Sequence, residues 1–371
     1  MKQLTDLSKD YRDFYAPNFM VRVGKQDVLR QLKAAVTQVE VDLVLGKAAR
    51  FSFTIADCYS PEFRVFKTAQ VDDLLKILEL GSEVEISMGY RDAQSTPLAV
   101  CGTISEITTN FPEGGSPELS IAGFDHGHAL TMGKRSYTWK DARDSDAVQK
   151  IASFNNLNAK VEPTKLTHKI IEQNQEDDWG FLKKLAERQP EKFEVYIDEL
   201  KTLHFAPPSR KSEPVVQLDY GRGLLSFKPE ANLASQISKV EVYGWDTKTK
   251  KPIIGVANAG EESGLNGRSG SQVLKSFVRD PAKQPVFRMR QPVFSKAEAD
   301  QRAKAALNER AKQFVTGDGE SIGIPEVRPD RNILLTNLGK PFSKIYYVQQ
   351  ATHKIDSNGY RTRFKVEERG L

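Results

Sequence analysis

The stretch GSEVEISMGY, residues 81–90, decides the fold class of this chain. Its apolar side chains Val84, Ile86 and Met88 alternate with polar neighbours, which is the period expected of a half-buried antiparallel strand. The same alternation recurs at residues 39–45, where Val and Leu alternate with Glu and Asp, and again at 51–55. The first third of the chain is therefore predicted to be an antiparallel sheet.

This stretch opens a succession of three strands that has an echo near the C-terminus. Strand-like segments at 100–111 and 118–125 follow it, separated by Pro and Gly residues. Segments 332–342, 344–355 and 357–368 repeat the arrangement, with Gly turns at similar spacing but negligible identity. The echo indicates two similar β-domains.

The middle of the chain has a different pattern. Residues 144–156 and 173–188 have apolar residues at helical spacing, and 193–205 reads as a short hairpin. A turn-rich segment at 206–214 closes this region. The pattern predicts a small α+β insert between the two β-domains.

The three consecutive acids at 176–178 raise the question of a catalytic or metal-binding carboxylate cluster. Successive residues on a helix diverge by about 100°, so three in a row do not converge on one ion. Acids in a first helical turn favour the helix dipole, and the basic residues that follow favour its other end. We therefore predict a helix start, with Trp179, Leu182, Leu185 and Ala186 on its buried stripe.

Three other segments carry structural expectations. Residues 71–80 have helical spacing, and a second helix is expected at 296–312. There Ser295 and Glu298 form a capping box in which Glu298 reaches the Ser295 N–H. The Gly-rich stretch at 264–271 lacks the ending of a phosphate-binding loop and is predicted to be a flexible surface loop.

No catalytic, cofactor-binding or metal-ligating set is predicted. Cys58 and Cys101 have no metal-ligand spacing and are expected to be small buried residues. Asp125, His126 and His128 are the best metal candidates, but a turn separates them and further ligands are missing nearby. Nucleophile motifs of hydrolases are also absent from the sequence.

The charge pattern favours neither nucleic acid nor membrane. The formal net charge is +5 over 371 residues, and basic and acidic residues are interspersed. No stretch approaches the roughly 20 apolar residues of a membrane span, and the N-terminus has no signal-peptide core. We expect a chain made in the cytoplasm that leaves, if at all, inside something larger.

Several segments, in order along the chain, resemble the late-control D and VgrG-type family of phage tail and baseplate hubs. They run from residues 20 to 367 and include the strand succession at 81–125. The family-signature residues in this sequence are Gln173, Asp177, Trp179, Phe181, Leu182, Leu185, Gly244, Trp245 and Asp246.

The resemblance implies a mainly β fold, with two tail-tube-like antiparallel β-barrels flanking a small α/β domain. The expected domains are 1–130 for the first barrel, 131–212 for the insert and 213–371 for the second barrel. The chain stops after the second barrel, without the needle found at the end of VgrG proteins. The spike is therefore expected to be a separate polypeptide.

The implied function is that of a non-enzymatic hub. A homotrimer would adapt a six-fold tail tube to a three-fold spike, contact other baseplate proteins and surround a channel for cargo or DNA. It would belong to a phage tail or an extracellular contractile injection particle. A wall-degrading baseplate enzyme and a nucleic-acid-binding protein are the alternatives.

Overall fold

A computed structural model describes residues 1–90, 96–246, 249–265 and 267–371. The strands of these residues, in chain order, are β1 (Asn18–Val23), β2 (Gln26–Asp27), β3 (Ala35–Val44), β4 (Arg50–Ala56), β5 (Tyr59–Ser60), β6 (Val65–Phe66), β7 (Glu83–Gly89), β8 (Leu98–Asn110), β9 (Glu118–Asp125), β10 (Arg135–Arg143), β11 (Asn158–Val161), β12 (Thr167–Glu176), β13 (Glu194–Ile197), β14 (Thr202–Ala206), β15 (Val216–Tyr220), β16 (Gly223–Ala231), β17 (Lys239–Asp246), β18 (Lys251–Asn258), β19 (Val286–Arg290), β20 (Val315–Ile322), β21 (Asn332–Thr336), β22 (Lys344–Asp356) and β23 (Gly359–Glu368).

Helices are fewer. The α-helices are α1 (Leu4–Asp10), α2 (Asp144–Phe154), α3 (Asp178–Glu187), α4 (Gly270–Phe277) and α5 (Lys296–Ala311). Short 3₁₀ turns lie at Arg12–Phe14, Leu74–Lys76, His126–Thr131 and Pro281–Lys283. The mainly β fold class is thus confirmed.

Six C-terminal strands close into a barrel. Their order is β22, β21, β15, β16, β20 and β23, and β23 pairs back onto β22. Along β23, the side chains of Tyr360, Thr362 and Phe364 are buried, whereas Arg361 and Arg363 lie outside the core. β21 covers only the first residues of β22, Lys344 to Tyr347, so the rest of that edge of β22 can pair with a further strand.

Seven N-terminal strands pair onto the edge of this barrel, so that barrel and N-terminal strands together form one sheet of thirteen strands. β3 pairs antiparallel with β22, in a register running from Val44 opposite Gln350 to Val39 opposite Ile355. From β3 the order continues through β4, β9, β8, β7, β1 and β2. The predicted meanders are therefore both present, β7–β8–β9 in one half and β21–β22–β23 in the other.

One hydrophobic core is shared by the two halves of this sheet. It combines Val41, Phe51 and Ile86 from the N-terminal strands with Tyr346 and Phe364 from the barrel, all buried. The described pairings close one barrel, and the strands of our expected first barrel form the seven-stranded part that extends it.

The predicted insert has its own core. α2 and α3 pack with the hairpin β13–β14, and β11 joins that hairpin in parallel with β14. β10 and β12 form a separate antiparallel pair. The buried residues of this cluster run from Leu130 to Phe205 and include Trp139, Phe181 and Leu185.

A third cluster lies where α5 covers the small sheet β18–β17–β19. Ala299, Ala303 and Leu307 of α5 face Val240 and Val242 of β17. The helix predicted at 296–312 is thus confirmed. Ser295 caps it by accepting from the Glu298 N–H at 3.1 Å.

Three local expectations were wrong. The helix expected at 71–80 is a single 3₁₀ turn that Asp73 caps, and Leu74 and Leu78 of this segment are buried in the main core. Glu298 accepts from the Phe294 N–H rather than that of Ser295. The Gly-rich stretch is not simply a flexible surface loop: buried Ser269 caps α4, while Asn266 lies outside the described residues.

Candidate functional site

The helix start predicted at the three acids is confirmed, with each acid in a different role. Asp177 is the N-cap of α3, and its side chain accepts from the Gly180 N–H at 2.7 Å. Glu176 lies at the end of β12 and pairs with Lys184. An N-cap carboxylate satisfies one of the free N–H groups of the first turn. The acids therefore do not converge on a common ligand.

Asp178, the third acid, is buried and fully engaged. Its carboxylate accepts from Gln173 Nε2 at 2.8 Å, from Asn155 Nδ2 at 2.8 Å and from Arg135 Nε at 3.1 Å. A buried carboxylate is tolerated when it is paired and hydrogen-bonded. Gln173 and Asp178 thus tie β12, α2 and α3 together inside the insert.

Trp179 joins the insert to the N-terminal sheet. Its indole N–H donates to the Gly46 carbonyl at 3.0 Å, and the Gly46 N–H donates to the Val195 carbonyl at 3.0 Å. Gly46 lies in the turn between β3 and β4 with a φ of +70°, a conformation that favours glycine. Trp179 of α3 therefore supplies one of the contacts between the insert and the sheet.

The remaining residues of this helix fill the insert core. Leu182 and Leu185 are completely buried, and Phe181 stacks on Trp139 with ring centroids 5.5 Å apart. The sequence predicts Leu182 and Leu185 on the buried stripe of this helix, whereas Phe181 is not part of the predicted stripe. Each packs in the hydrophobic core of the insert.

The second group of signature residues lies elsewhere, at the end of β17. A Cβ on Gly244 would lie 2.1 Å from Val293 Cγ2, so any larger residue at this position would clash with the Val293 side chain. Asp246, the last residue of β17, accepts from the Thr249 N–H at 3.2 Å. Trp245 is 57% exposed and lies beside Phe294 on an apolar surface. The structure does not bring these residues into the insert core.

The barrel presents a polar, shallow concave surface formed by β16, β20, β22 and β23. Its charged and polar lining consists of Ser226, Lys228, Asp318, Glu320, Gln350, Thr352, Arg363 and Lys365. Arg363 Nε pairs with Glu320 at 3.4 Å.

Asp125, His126 and His128, the metal candidates in the sequence, are held apart in the structure. Asp125 accepts from the N–H groups of Ala49, at 2.9 Å, and Gly127, at 2.8 Å, and burial raises the pKa of its carboxyl to about 7. His128 stacks on Phe124 with centroids 4.6 Å apart. The expected turn at 126–128 is present and separates these side chains.

His126 instead meets Cys101, which the sequence predicts only as a small buried residue, and Glu83, which was not singled out in the sequence. Its Nε2 lies 3.6 Å from Cys101 Sγ and 3.8 Å from Glu83 Oε1, and Cys101 Sγ lies 3.8 Å from the same Glu83 oxygen. Lys201, from the turn between β13 and β14, donates to Glu83. We refer to these four residues as the seam cluster, because they join the N-terminal sheet to the insert.

The local environment shifts the pKa of each member of the seam cluster. The hydrogen bond from Lys201 lowers the pKa of Glu83, and burial lowers the pKa of His126. Burial raises the pKa of the Cys101 thiol to about 11. Its members come from four different elements, so no linear spacing could have revealed it.

The arrangement of a closed barrel, extended sheet and insert defines a fold shared with phage tail proteins. A 43 kDa tail protein of prophage MuSo2 from Shewanella oneidensis matches with a TM-score of 0.71 at 11% identity, over 95% of this chain and 98% of that one. A tail protein from Neisseria meningitidis MC58 matches with a TM-score of 0.69 at 16% identity, over 95% and 97% of the two chains.

An Escherichia coli component of the type VI secretion system, described as similar to T4 bacteriophage tail proteins, has the same fold. Its TM-score is 0.52 at 13% identity, over 93% of this chain and 76% of that one. At these identities the likeness concerns the fold alone.

By sequence, the chain belongs to the family described as the Alg8 N-terminal domain, whose sequence model matches residues 18–357. No curated protein matches the chain significantly. The late-control D family is therefore not the family that the sequence match identifies, although the broader tail-protein fold is the one expected. Among the described residues, no helix is long and apolar enough to cross a membrane.

Proposed function

We propose that this protein is a structural baseplate hub of a phage-type tail or injection particle, acting as a homotrimer between tail tube and spike. The observation that carries the proposal is the pair of meanders within one sheet, β7–β8–β9 and β21–β22–β23. Three copies of the chain would place six such meanders around a three-fold axis. A ring with this composition can match six-fold symmetry on one face and three-fold symmetry on the other.

The fold likeness supports the assignment to tail particles. Two of the similar structures are tail proteins that match over nearly their whole length. A third belongs to a type VI secretion system. On this basis we retain the late-control D and VgrG-type hub as the specific proposal, with a tail tube protein, a separate spike and other baseplate proteins as partners.

The division of the chain into domains is part of this proposal. We propose residues 1–130 and 213–371 as two tube-like halves, and 131–212 as the insert that braces them. The nine signature residues are proposed to act structurally, through the insert core and the β17 turn. Arg361, Arg363 and Lys365, on the outer face of β23, are candidates for the wall of a channel that passes cargo or DNA.

Native mass spectrometry tests the hub proposal directly. The purified chain at micromolar concentration, alone and then mixed with a spike protein encoded beside it, is expected to give a species of three times 41.6 kDa in at least one sample. The matched control is the same spike protein without the chain. A strict monomer in both samples would contradict the proposal.

A further inference from the structure

The seam cluster contains three kinds of metal-binding donor in one triangle. Glu83 Oε1, Cys101 Sγ and His126 Nε2 are separated by 3.6 to 3.8 Å on every side. Among the described residues, they form the one group of three or more potential metal-binding side chains whose donor atoms lie this close together. The hub function proposed above makes no use of them.

The size of the triangle fits an ion with tetrahedral coordination. Zinc binds sulfur at about 2.3 Å, imidazole nitrogen at about 2.0 Å and carboxylate oxygen at about 2.1 Å, so neighbouring donors lie about 3.3 to 3.6 Å apart. The distance from His126 Nε2 to Cys101 Sγ, 3.6 Å, already has this value. The two distances to Glu83, each 3.8 Å, need only a small rotation of an exposed carboxylate.

Burial gives the triangle a closed side and an open side. Cys101 is 4% exposed and lies on a strand within the sheet. The side chains of His126 and Glu83 are 20% and 48% exposed. An ion could therefore enter past Glu83, reach the buried sulfur and keep one position for water.

We propose that Glu83, Cys101 and His126 bind one divalent ion of the zinc type as carboxylate, thiolate and imidazole. Thiolate and imidazole ligands select zinc and similar transition metals over magnesium and calcium. On binding, the Cys101 thiol gives its proton to solvent, and the sulfur lone pair forms the bond to the metal. The neutral His126 ring donates the lone pair of Nε2.

Lys201 sets the affinity of this site. Its ammonium donates to Glu83, the oxygen donor of the triangle, and it belongs to the insert rather than the sheet. Because a metal ion and an ammonium repel each other and compete for the same carboxylate, zinc weakens the hold of the insert turn on the sheet. Metal binding at the seam is thus coupled to the position of the insert.

Zinc titration of the full chain against a chromophoric chelator tests the proposal. We expect one Zn²⁺ per chain, with affinity lowered at least about tenfold in Cys101→Ser and in Glu83→Gln. Lys201→Met is expected to bind Zn²⁺ roughly threefold to tenfold more tightly, because a competing positive charge is gone. Co²⁺ should give a thiolate charge-transfer band that Cys101→Ser abolishes.

Cys58→Ser is the matched control. Cys58 is also a buried free thiol, but its Sγ donates to the Ile55 carbonyl at 3.6 Å, and Cys58 belongs to no group of potential metal ligands among the described residues, so this variant should bind Zn²⁺ like the unaltered chain. If Cys101→Ser fails to fold, Glu83→Gln decides the matter, since its side chain is half exposed. Absence of Zn²⁺ binding, or Zn²⁺ and Co²⁺ binding unchanged by Glu83→Gln and Cys101→Ser, would overturn the proposal.

Discussion

At the scale of single residues, His353 is a titratable group buried inside the barrel. Its Nε2 lies 2.9 Å from the Val327 carbonyl, which can only accept, so Nε2 carries the proton. Its Nδ1 then accepts from the Tyr360 hydroxyl at 2.9 Å. Burial, with the nearby charge of Arg328, lowers the pKa of the imidazole to about 3. The ring is therefore neutral in the folded protein.

This pKa predicts how the free energy of unfolding depends on pH. The unfolded chain binds a proton at His353 below about pH 6.5, whereas the folded chain does not until about pH 3. Protonation of His353 therefore leaves the free energy of unfolding unchanged above pH 6.5. Below that pH it lowers the free energy of unfolding by up to about 1.4 kcal/mol per pH unit. Urea unfolding at pH 7.5 and at pH 5 measures the difference in the free energy of unfolding between the unaltered chain and His353→Gln. This difference should be smaller at pH 5. A constant advantage would show that His353 titrates normally in the fold.

At the scale of secondary-structure elements, the contact between α5 and β18 depends on one glycine. A Cβ on Gly255 would lie 2.1 Å from the carbonyl carbon of Ala299, whose side chain is completely buried. Ala303 follows one turn later on the same face. Small residues on both elements therefore let the helix backbone approach the strand closely.

Gly255→Val is expected to destabilise the protein by about 1 to 3 kcal/mol, since the added side chain must push α5 off the sheet. Valine favours strands, so the result would be stabilising if the contact were unimportant. Lys251→Val, at an exposed position of the same strand, is the control and should change stability little. Thermal unfolding of both variants measures the difference, and equal melting temperatures would contradict the packing argument.

The elements also show how far the sequence could predict this structure. Alternation located the strands at 39–45, 51–55 and 81–90, because one buried face imposes a period of two. It could not show that β3 pairs with β22, since that choice depends on a partner about 300 residues away. The seam cluster was missed for the same reason: its residues meet only after the strands have paired.

At the scale of the whole molecule, the two kinds of core have different consequences for folding. The N-terminal sheet shares its core with the barrel and is joined to it through β3 and β22. Asp42 of β3 accepts from Gln350 Nε2 at 2.8 Å and from Thr352 Oγ1 at 2.7 Å, which adds polar contacts to this junction. The insert, in contrast, buries its own cluster around Trp139 and Leu185.

Fragments therefore should not behave alike. The fragment 131–212 is expected to unfold cooperatively on its own, because most of its core lies within it. The fragment 1–130 is expected to aggregate, because it exposes the β3 edge and half of a shared core. Co-expression of 1–130 with 213–371 should restore a soluble complex by supplying β22.

Circular dichroism with thermal melting distinguishes these outcomes. A cooperative melt of 1–130 alone would show that this half closes its own core, as an independent first barrel would, and that β3 needs no partner from the C-terminal strands.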